Sequence, residues 1–451
     1  MRFLRTTACG LAAALTLSVA GCGDSSDQPS PSDAADQAFT FTIPIYKYYQ
    51  TQRGYIAQGI VPNFFVSSPL LSTDAMRTVT KPNHDTLYSV AFLKLGNGPI
   101  EIDTPESGDR YFSLALMDAY TNNFAVRGTR VDGGHAMRFW VVGPDFTGTA
   151  PEGTVLLQSK TNSVSALART YTSGTPDDYT AAHAVQAQLK VVQPAGTPRS
   201  AFTATDLLPP PPETSVDAYF GYVDQLMTQD PPGAADTAFV DNGPASIGVG
   251  PGLTYDPAAV YTSAVTYGAT QARNRALSPS DAPTASGWLT ATDDIGDYGT
   301  NYDLRAHLAE TGLAALPRAE AVYFIANSAL ATPDVPLSGD TLYTLDFPAG
   351  GLPPTGAFWS LTLYEGQDAS HAYFYTNPDN IWAIGVPASA PAFNDDGSLT
   401  LYISHVQPAG VPLSNWLPAP EGPYSLQLRD YLPTADVLDG TYVPPALAAA
   451  G

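Results

Sequence analysis

The stretch Lys81–Val90, KPNHDTLYSV, places a histidine, a carboxylate, two hydroxyls and a tyrosine within a few residues. Residues of these types could support acid–base or ligand-binding chemistry. His84 would act as base or ligand contact, Asp85 would orient it, and Tyr88 would be a polar neighbour. The same letters also spell a turn. Pro82 restricts the residue before it, so Lys81 is expected in extended backbone. The Asn83 or Asp85 side chain can accept backbone N–H groups in an Asx-turn. Leu87–Leu95 then reads as a strand apolar on both faces and therefore buried. The turn is the weightier reading, because Asp and Asn at a strand start usually serve the backbone.

A second candidate is a pair of carboxylates. Asp118 and Glu365 each follow a strand of the form SLxLx. If those strands faced each other, the two could converge as glycosidase carboxylates do, although strand-end carboxylates more often meet solvent or form turns. Arg127 and Arg130, in AVRGTR, are the anion-binding candidates, with local pairing to Asp118 or Asp132 as the simpler outcome. Tyr46, Tyr48, Tyr49 and Tyr55 could stack on a sugar or simply pack at a sandwich edge. Trp416, in SNWLPAP, reads as the anchor of a rigid loop. The six histidines show no metal-ligand spacing, and no metal or cofactor is expected. The chain has no Gly-x-Ser-x-Gly elbow, phosphate loop, dinucleotide glycine motif or His-Glu-x-x-His.

The elements that must position these residues begin with an export signal. Arg2 and Arg5 precede an apolar run, Leu11–Val19, too short to span a bilayer. Val19-Ala20-Gly21-Cys22 then matches a bacterial lipobox, so Cys22 is the expected lipidation site. Gly23 rather than Asp after it slightly favours the outer membrane. The formal charge of −23 becomes more negative by two once Arg2 and Arg5 leave. Such a surface disfavours nucleic acid and suits a soluble envelope domain. With Cys9 lost and Cys22 acylated, no disulfide or cysteine site is expected.

Pro, Gly and Tyr in short runs indicate a mainly β protein with a helical connector. The expected plan is a signal peptide at 1–21, a disordered tether at 22–38, and an N-terminal β-sandwich at 39–200. A linker with helices at 201–317 and a C-terminal β-sandwich at 318–446 complete it. Helix starts are read at Asp177-Asp178, Ser215, Asp256-Pro257 and Asp303. NDDG at 394–397 reads as a hairpin turn rather than a calcium loop.

The opening stretch has an echo. Asp85-Thr86-Leu87-Tyr88-Ser89 returns as Asp340-Thr341-Leu342-Tyr343-Thr344, and Tyr111–Asp118 returns as Phe358–Glu365, in the same order. Two related sandwiches are inferred, each with one copy of a strand pair. In that alignment Asn83-His84 matches Ser338-Gly339, so any function peculiar to the first copy would rest on those two residues.

PNHDTLYSVAFLKLGNGPIEIDTP together with RYFSLALMDAYTNNFAVRGTR resembles the bacterial family known as domain of unknown function 1254. GDYGTNYDLRAHLAETGL, AFWSLTLYEG, DDGSLTLYISHVQP and SNWLPAPEGPYSLQLRDYLP resemble its usual partner, domain of unknown function 1214. The resemblance implies two jelly-roll-like sandwiches joined by helices, and it implies no activity. His84 stands where the family commonly has Arg. Taken together, these features predict an envelope protein that binds a small molecule or glycan near the domain junction. The rivals are a hydrolase using His84/Asp85 or Asp118/Glu365, and a structural or adhesive module. The oligomeric state is not encoded legibly.

Overall fold

The computed structural model describes residues 28–77, 80–278, 282–290, 293–366, 372–386 and 390–450; the signal segment and Cys22 lie outside them. The protein is mainly β, built as two sandwiches around a helical centre.

The N-terminal sandwich contains β1 (Val66–Ser67), β2 (Thr86–Lys94), β3 (Ile100–Asp103), β4 (Phe112–Asp118), β5 (Asn123–Gly128), β6 (Arg138–Val142), β7 (Val155–Gln158), β8 (Ser163–Tyr171) and β9 (Lys190–Val192). One sheet runs β1-β2-β8-β4-β5 and the other β7-β6-β3-β9. Alternation explains the layering. Val164, Ala166 and Ala168 of β8 pack with Ile100, Ile102, Phe139 and Val141 between the sheets. Ser165, Leu167 and Arg169 take the opposite face.

The C-terminal sandwich contains β10 (Leu289–Thr290), β11 (Ala321–Ala326), β12 (Tyr343–Phe347), β13 (Thr355–Glu365), β14 (Ala383–Val386), β15 (Leu399–Ser404), β16 (Trp416–Pro418), β17 (Pro423–Pro433) and β18 (Ala448–Ala449). Its sheets run β10-β11-β17-β13-β14 and β16-β15-β12-β18. Strand for strand, this is the first sandwich again. Chain order, neighbours and pairing sense agree, down to the parallel pairs β6/β7 and β15/β16. A hairpin at Ser328–Ala329 and Thr332–Ser338 and the two-residue strands Ala282–Pro283 and Tyr373–Phe374 are additions to the second copy.

This correspondence corrects the repeat read from sequence. The Ser113/Ser360 match holds, because Ser113 pairs with Arg169 on β8 and Ser360 with Arg429 on β17. The Asp85/Asp340 match does not. Tyr88 pairs with Arg169 and Tyr323 with Arg429, so β2 corresponds to β11 and Asp85 to Glu320. Asp340 precedes β12, the counterpart of β3. Asp-Thr-Leu-Tyr marks any polar turn feeding a buried strand, and local letters do not report which strand lies alongside.

Six longer helices are found among the described residues, besides single turns at Thr129–Asp132 and Ala435–Leu438: α1 (Pro31–Ala57), α2 (Pro176–Gln186), α3 (Val216–Gln229), α4 (Ala234–Asn242), α5 (Thr262–Leu277) and α6 (Tyr302–Thr311). α1 overturns both the tether beyond Ser30 and the sandwich start at Phe39. Ser30 Oγ caps it by accepting from Asp33 N at 3.2 Å, with Pro31 at the first helical position. Its run FTFTIPIY alternates with period two and contains Pro44, so it imitates a strand. The helix is nonetheless covered on all sides, with Phe39, Phe41, Ile43, Ile45 and Tyr49 in one core with α3 and α5. A helix surrounded by protein needs no polar face and shows no stripe. α1 and α5 meet closely, since a Cβ on Gly268 would lie 2.0 Å from the Ser32 carbonyl oxygen.

Two helix starts and one helix cap also differ from expectation. Thr175, not Asp177, caps α2. α3 begins after Ser215 as expected, but the Ser215 side chain makes no capping bond. Asp256-Pro257 forms a turn instead of a helix, because the Asp256 carboxylate accepts from Ala258 N at 2.9 Å; α5 then starts at Thr262 and leaves Tyr261 exposed. The segment 394–397 is a turn, with Gly397 N donating to Asn394 O.

Candidate functional site

The outer faces of β2, β8, β11 and β17 enclose a cavity of about 340 Å³ between the two sandwiches. Matching positions line it from each copy. Ser165, Leu167 and Arg169 on β8 are answered by Ser425, Gln427 and Arg429 on β17, and Tyr88 on β2 by Tyr323 on β11. Tyr48 and Tyr55 of α1 close one side, and His307, Leu308 and the segment after α6 close another. No Asp or Glu is among the described residues that line it. Beside it, Tyr111, Ala115 and Val126 pack with Phe358, Leu316 and Tyr431 in a core shared by both sandwiches.

The Lys81–Asp85 turn joins the two halves at this cavity. Asn83 Oδ1 accepts from Asp85 N at 2.5 Å and Thr86 N at 3.0 Å, which is the expected Asx-turn. Its Nδ2 donates to the Tyr431 hydroxyl. The Pro82 carbonyl accepts from Tyr364 Oη at 2.7 Å, and Asp85 Oδ2 accepts from Ser360 Oγ at 2.7 Å. The Lys81 carbonyl accepts from Arg429 Nη2 at 3.1 Å. Lys81 is not extended: its φ is +49°, a left-handed backbone fixed by the Arg429 bond and by its own N–H donating to Ala372 O at 2.8 Å. Burial pushes the Asp85 carboxyl up from its ordinary value, while Arg429 and Ser360 pull it back. Glu320, the counterpart of Asp85, bridges in the other direction. It accepts from Tyr111 Oη at 2.9 Å and from Arg130 Nε at 2.6 Å.

The two central arginines are held differently. Arg429 donates to Thr362, Tyr364 and the Lys81 carbonyl. Arg169, only 6% exposed, gives Nη2 to the Ala314 carbonyl at 2.9 Å and rests 5.8 Å from the Tyr88 ring centroid, while its buried Nη1 has no acceptor among the described residues. Buried Tyr48 Oη and Gln427 Oε1 likewise have no hydrogen-bond partner. His307 is engaged, since its Nδ1 lies 2.8 Å from the Ala276 carbonyl and so must donate there.

Of the residues singled out from sequence, Tyr48, Tyr55, Asn83 and Tyr88 line the cavity. Asp85 faces the second sandwich through Ser360. His84 turns away: its Nδ1 meets the Ser72 carbonyl at 2.6 Å, its ring lies edge-on to Trp382, and burial lowers its pKa. Asp118 is buried and serves its own turn, accepting from Tyr120 N and Asn122 N, and burial raises its pKa. Glu365, at the equivalent position, instead pairs at the surface with Arg77. Arg127 pairs locally with Asp132, whereas Arg130 crosses to Glu320. Trp416 anchors its loop by donating to the Ser404 carbonyl at 3.1 Å. Among the described residues no three His, Cys, Asp or Glu side chains gather as a metal site. Sequence reasoning passed over Arg169 and Arg429. The signal was present: SALARTY at 165–171 and SLQLRDY at 425–431 share Ser-x-x-x-Arg-x-Tyr.

Residues 62–193 match the family model described as "Protein of unknown function (DUF1254)" and residues 320–435 that of "Protein of unknown function (DUF1214)". The chain therefore carries one member of each family, one per sandwich, with α1 ahead of both. The crystal structure of the VPA0106 protein from Vibrio parahaemolyticus is similar, with a TM-score of 0.69 at 22% identity, covering 94% of this chain and 100% of that one. It shares the fold. An uncharacterised protein from Burkholderia cenocepacia aligns with a TM-score of 0.47 at 13% identity, over 91% of this chain and 88% of that one. No curated protein matches.

Proposed function

We propose that this DUF1254–DUF1214 protein is a lipid-anchored envelope protein that binds a small, largely apolar molecule in the cavity between its sandwiches. The observation that carries the reading is the wall itself. Aromatic and aliphatic side chains surround buried polar atoms on Arg169, Gln427 and Tyr48 that have no partner among the described residues. Such atoms are costly to bury unsatisfied, and a ligand relieves that cost. A volume of about 340 Å³ suits a small organic molecule. Binding is favoured over hydrolysis, because no described carboxylate lines the cavity and His307 is already bonded. A glycan fits less well, since Asn83 and Arg429 engage their polar atoms with the protein.

The anchor rests on the lipobox ending at Cys22. Only residues 23–30 would separate it from α1, a reach of at most roughly 28 Å. The sandwiches would then ride close to the bilayer surface. The cavity reading is tested with the neutral probe N-phenyl-1-naphthylamine. Its fluorescence is expected to rise on binding to the wild-type protein and not to Leu167→Trp, which fills the cavity from β8. Equal enhancement by both proteins, or none by the wild type, defeats the reading.

A further inference from the structure

We infer that the cavity selects a monocarboxylic acid, with the carboxylate against Arg169 and the apolar body among the tyrosines; this rests on the binding reading above. Two cations face the cavity from equivalent strands, and their surroundings differ. Arg429 has Asp85 nearby as compensating charge and three hydrogen-bond acceptors. Arg169 has less of each. Among the described residues its one hydrogen-bond acceptor is the neutral Ala314 carbonyl; the Tyr88 ring lies beside it, and the hydroxyl groups of Tyr88, Tyr323, Tyr431 and Tyr111 are near enough to act on its charge. Glu320, the nearest carboxylate counterpart, is already bonded to Arg130 and Tyr111.

A guanidinium this deeply buried, with an unbonded N–H and no ion pair among the described residues, is compensated only at a distance, by Glu320. The balance points to one negative charge brought by the ligand. A carboxylate supplies it and accepts from Nη1 in a charge-assisted bond. A phosphate monoester would bring up to two charges against one free donor. A neutral alcohol would bring the cation no charge. Gln427 Oε1 and Tyr48 Oη offer a second polar contact for a hydroxyl or amide on the body.

The test is displacement of the bound naphthylamine by decanoate and 3-phenylpropionate, each against its matching alcohol. A hydrogen bond to a charged group predicts that the acids compete about 10- to 100-fold more strongly than the alcohols. Arg169→Met should remove most of that preference and affect the alcohols much less. If Arg169→Met does not fold by circular dichroism, Arg169→Lys takes its place and should keep a reduced preference for acids. Equal competition by acid and alcohol overturns the carboxylate assignment and leaves the binding reading standing. So does an acid preference undiminished in Arg169→Met, or in Arg169→Lys. Failure of the probe to bind the wild-type protein overturns both.

Discussion

Asp430 lies on β17 between two cavity residues, Arg429 and Tyr431, but alternation turns it the other way, to the face that carries Leu426 and Leu428 into the second sandwich. It is fully buried and belongs to no ion pair among the described residues. Burial pushes its pKa from 3.8 up to about 7. The folded protein therefore holds this proton over a range in which the unfolded chain has released it. Stability falls as pH rises from about 4 to about 7, and the loss is complete above that. The folded and unfolded pKa values lie about three apart, which at about 1.36 kcal/mol for each corresponds to about 4 kcal/mol. Asp430→Asn mimics the protonated acid and removes the dependence. Urea unfolding at pH 4 should find the variant and wild type within about 1 kcal/mol, and at pH 8 the variant should be more stable by a few kcal/mol. Asp85, Asp118, Asp224, Glu310 and Glu320 are also pushed up, so both proteins should weaken with pH; the difference between them isolates Asp430. A difference that does not change between pH 4 and pH 8 would show that Asp430 titrates normally, and the argument from burial would be refuted.

Two further perturbations probe the helical centre and the leader. Gly268→Ala sets a methyl against the Ser32 carbonyl and should force α1 and α5 apart, costing about 1–3 kcal/mol in urea unfolding; an unchanged midpoint would mean the helices are not in close contact. Cys22→Ser should move the protein from the membrane to the soluble fraction of the producing cell, whereas retention in the membrane fraction would refute acylation at the lipobox.

What was legible in the sequence follows from what each element packs against. The strand read as Leu87–Leu95 runs Thr86–Lys94, because a strand buried on both faces shows in the sequence as an apolar run after a turn signal. α1 defeated the same reasoning because protein surrounds it and FTFTIPIY alternates by accident of composition. The repeat was legible at SLxL, where β4 and β13 share a partner strand, and misleading at Asp-Thr-Leu-Tyr, where only the letters agree. The Asx-turn at Asn83 was legible because its chemistry is local. Its second role was not, since its acceptors and donors on Tyr431, Ser360, Tyr364 and Arg429 lie hundreds of residues away.

The cavity itself was readable in one respect. A lone arginine between alternating apolar residues cannot sit in a sandwich core without a partner, so ALART and LQLRD each required a polar space on one side of a central strand. Finding that demand twice, on strands the fold makes equivalent, implies that the two spaces are one. The duplication then explains both the place of the cavity and its imbalance. Each copy brings an arginine and an acid, but Glu320 is drawn off by Arg130 while Asp85 stays beside Arg429. The first copy's arginine is thereby left without a bonded carboxylate among the described residues, and His84, unrelated to this asymmetry, is left packing against Trp382. If the imbalance arises this way, its source is Arg130 rather than the wall, and the carboxylate preference belongs to the junction rather than to either sandwich alone.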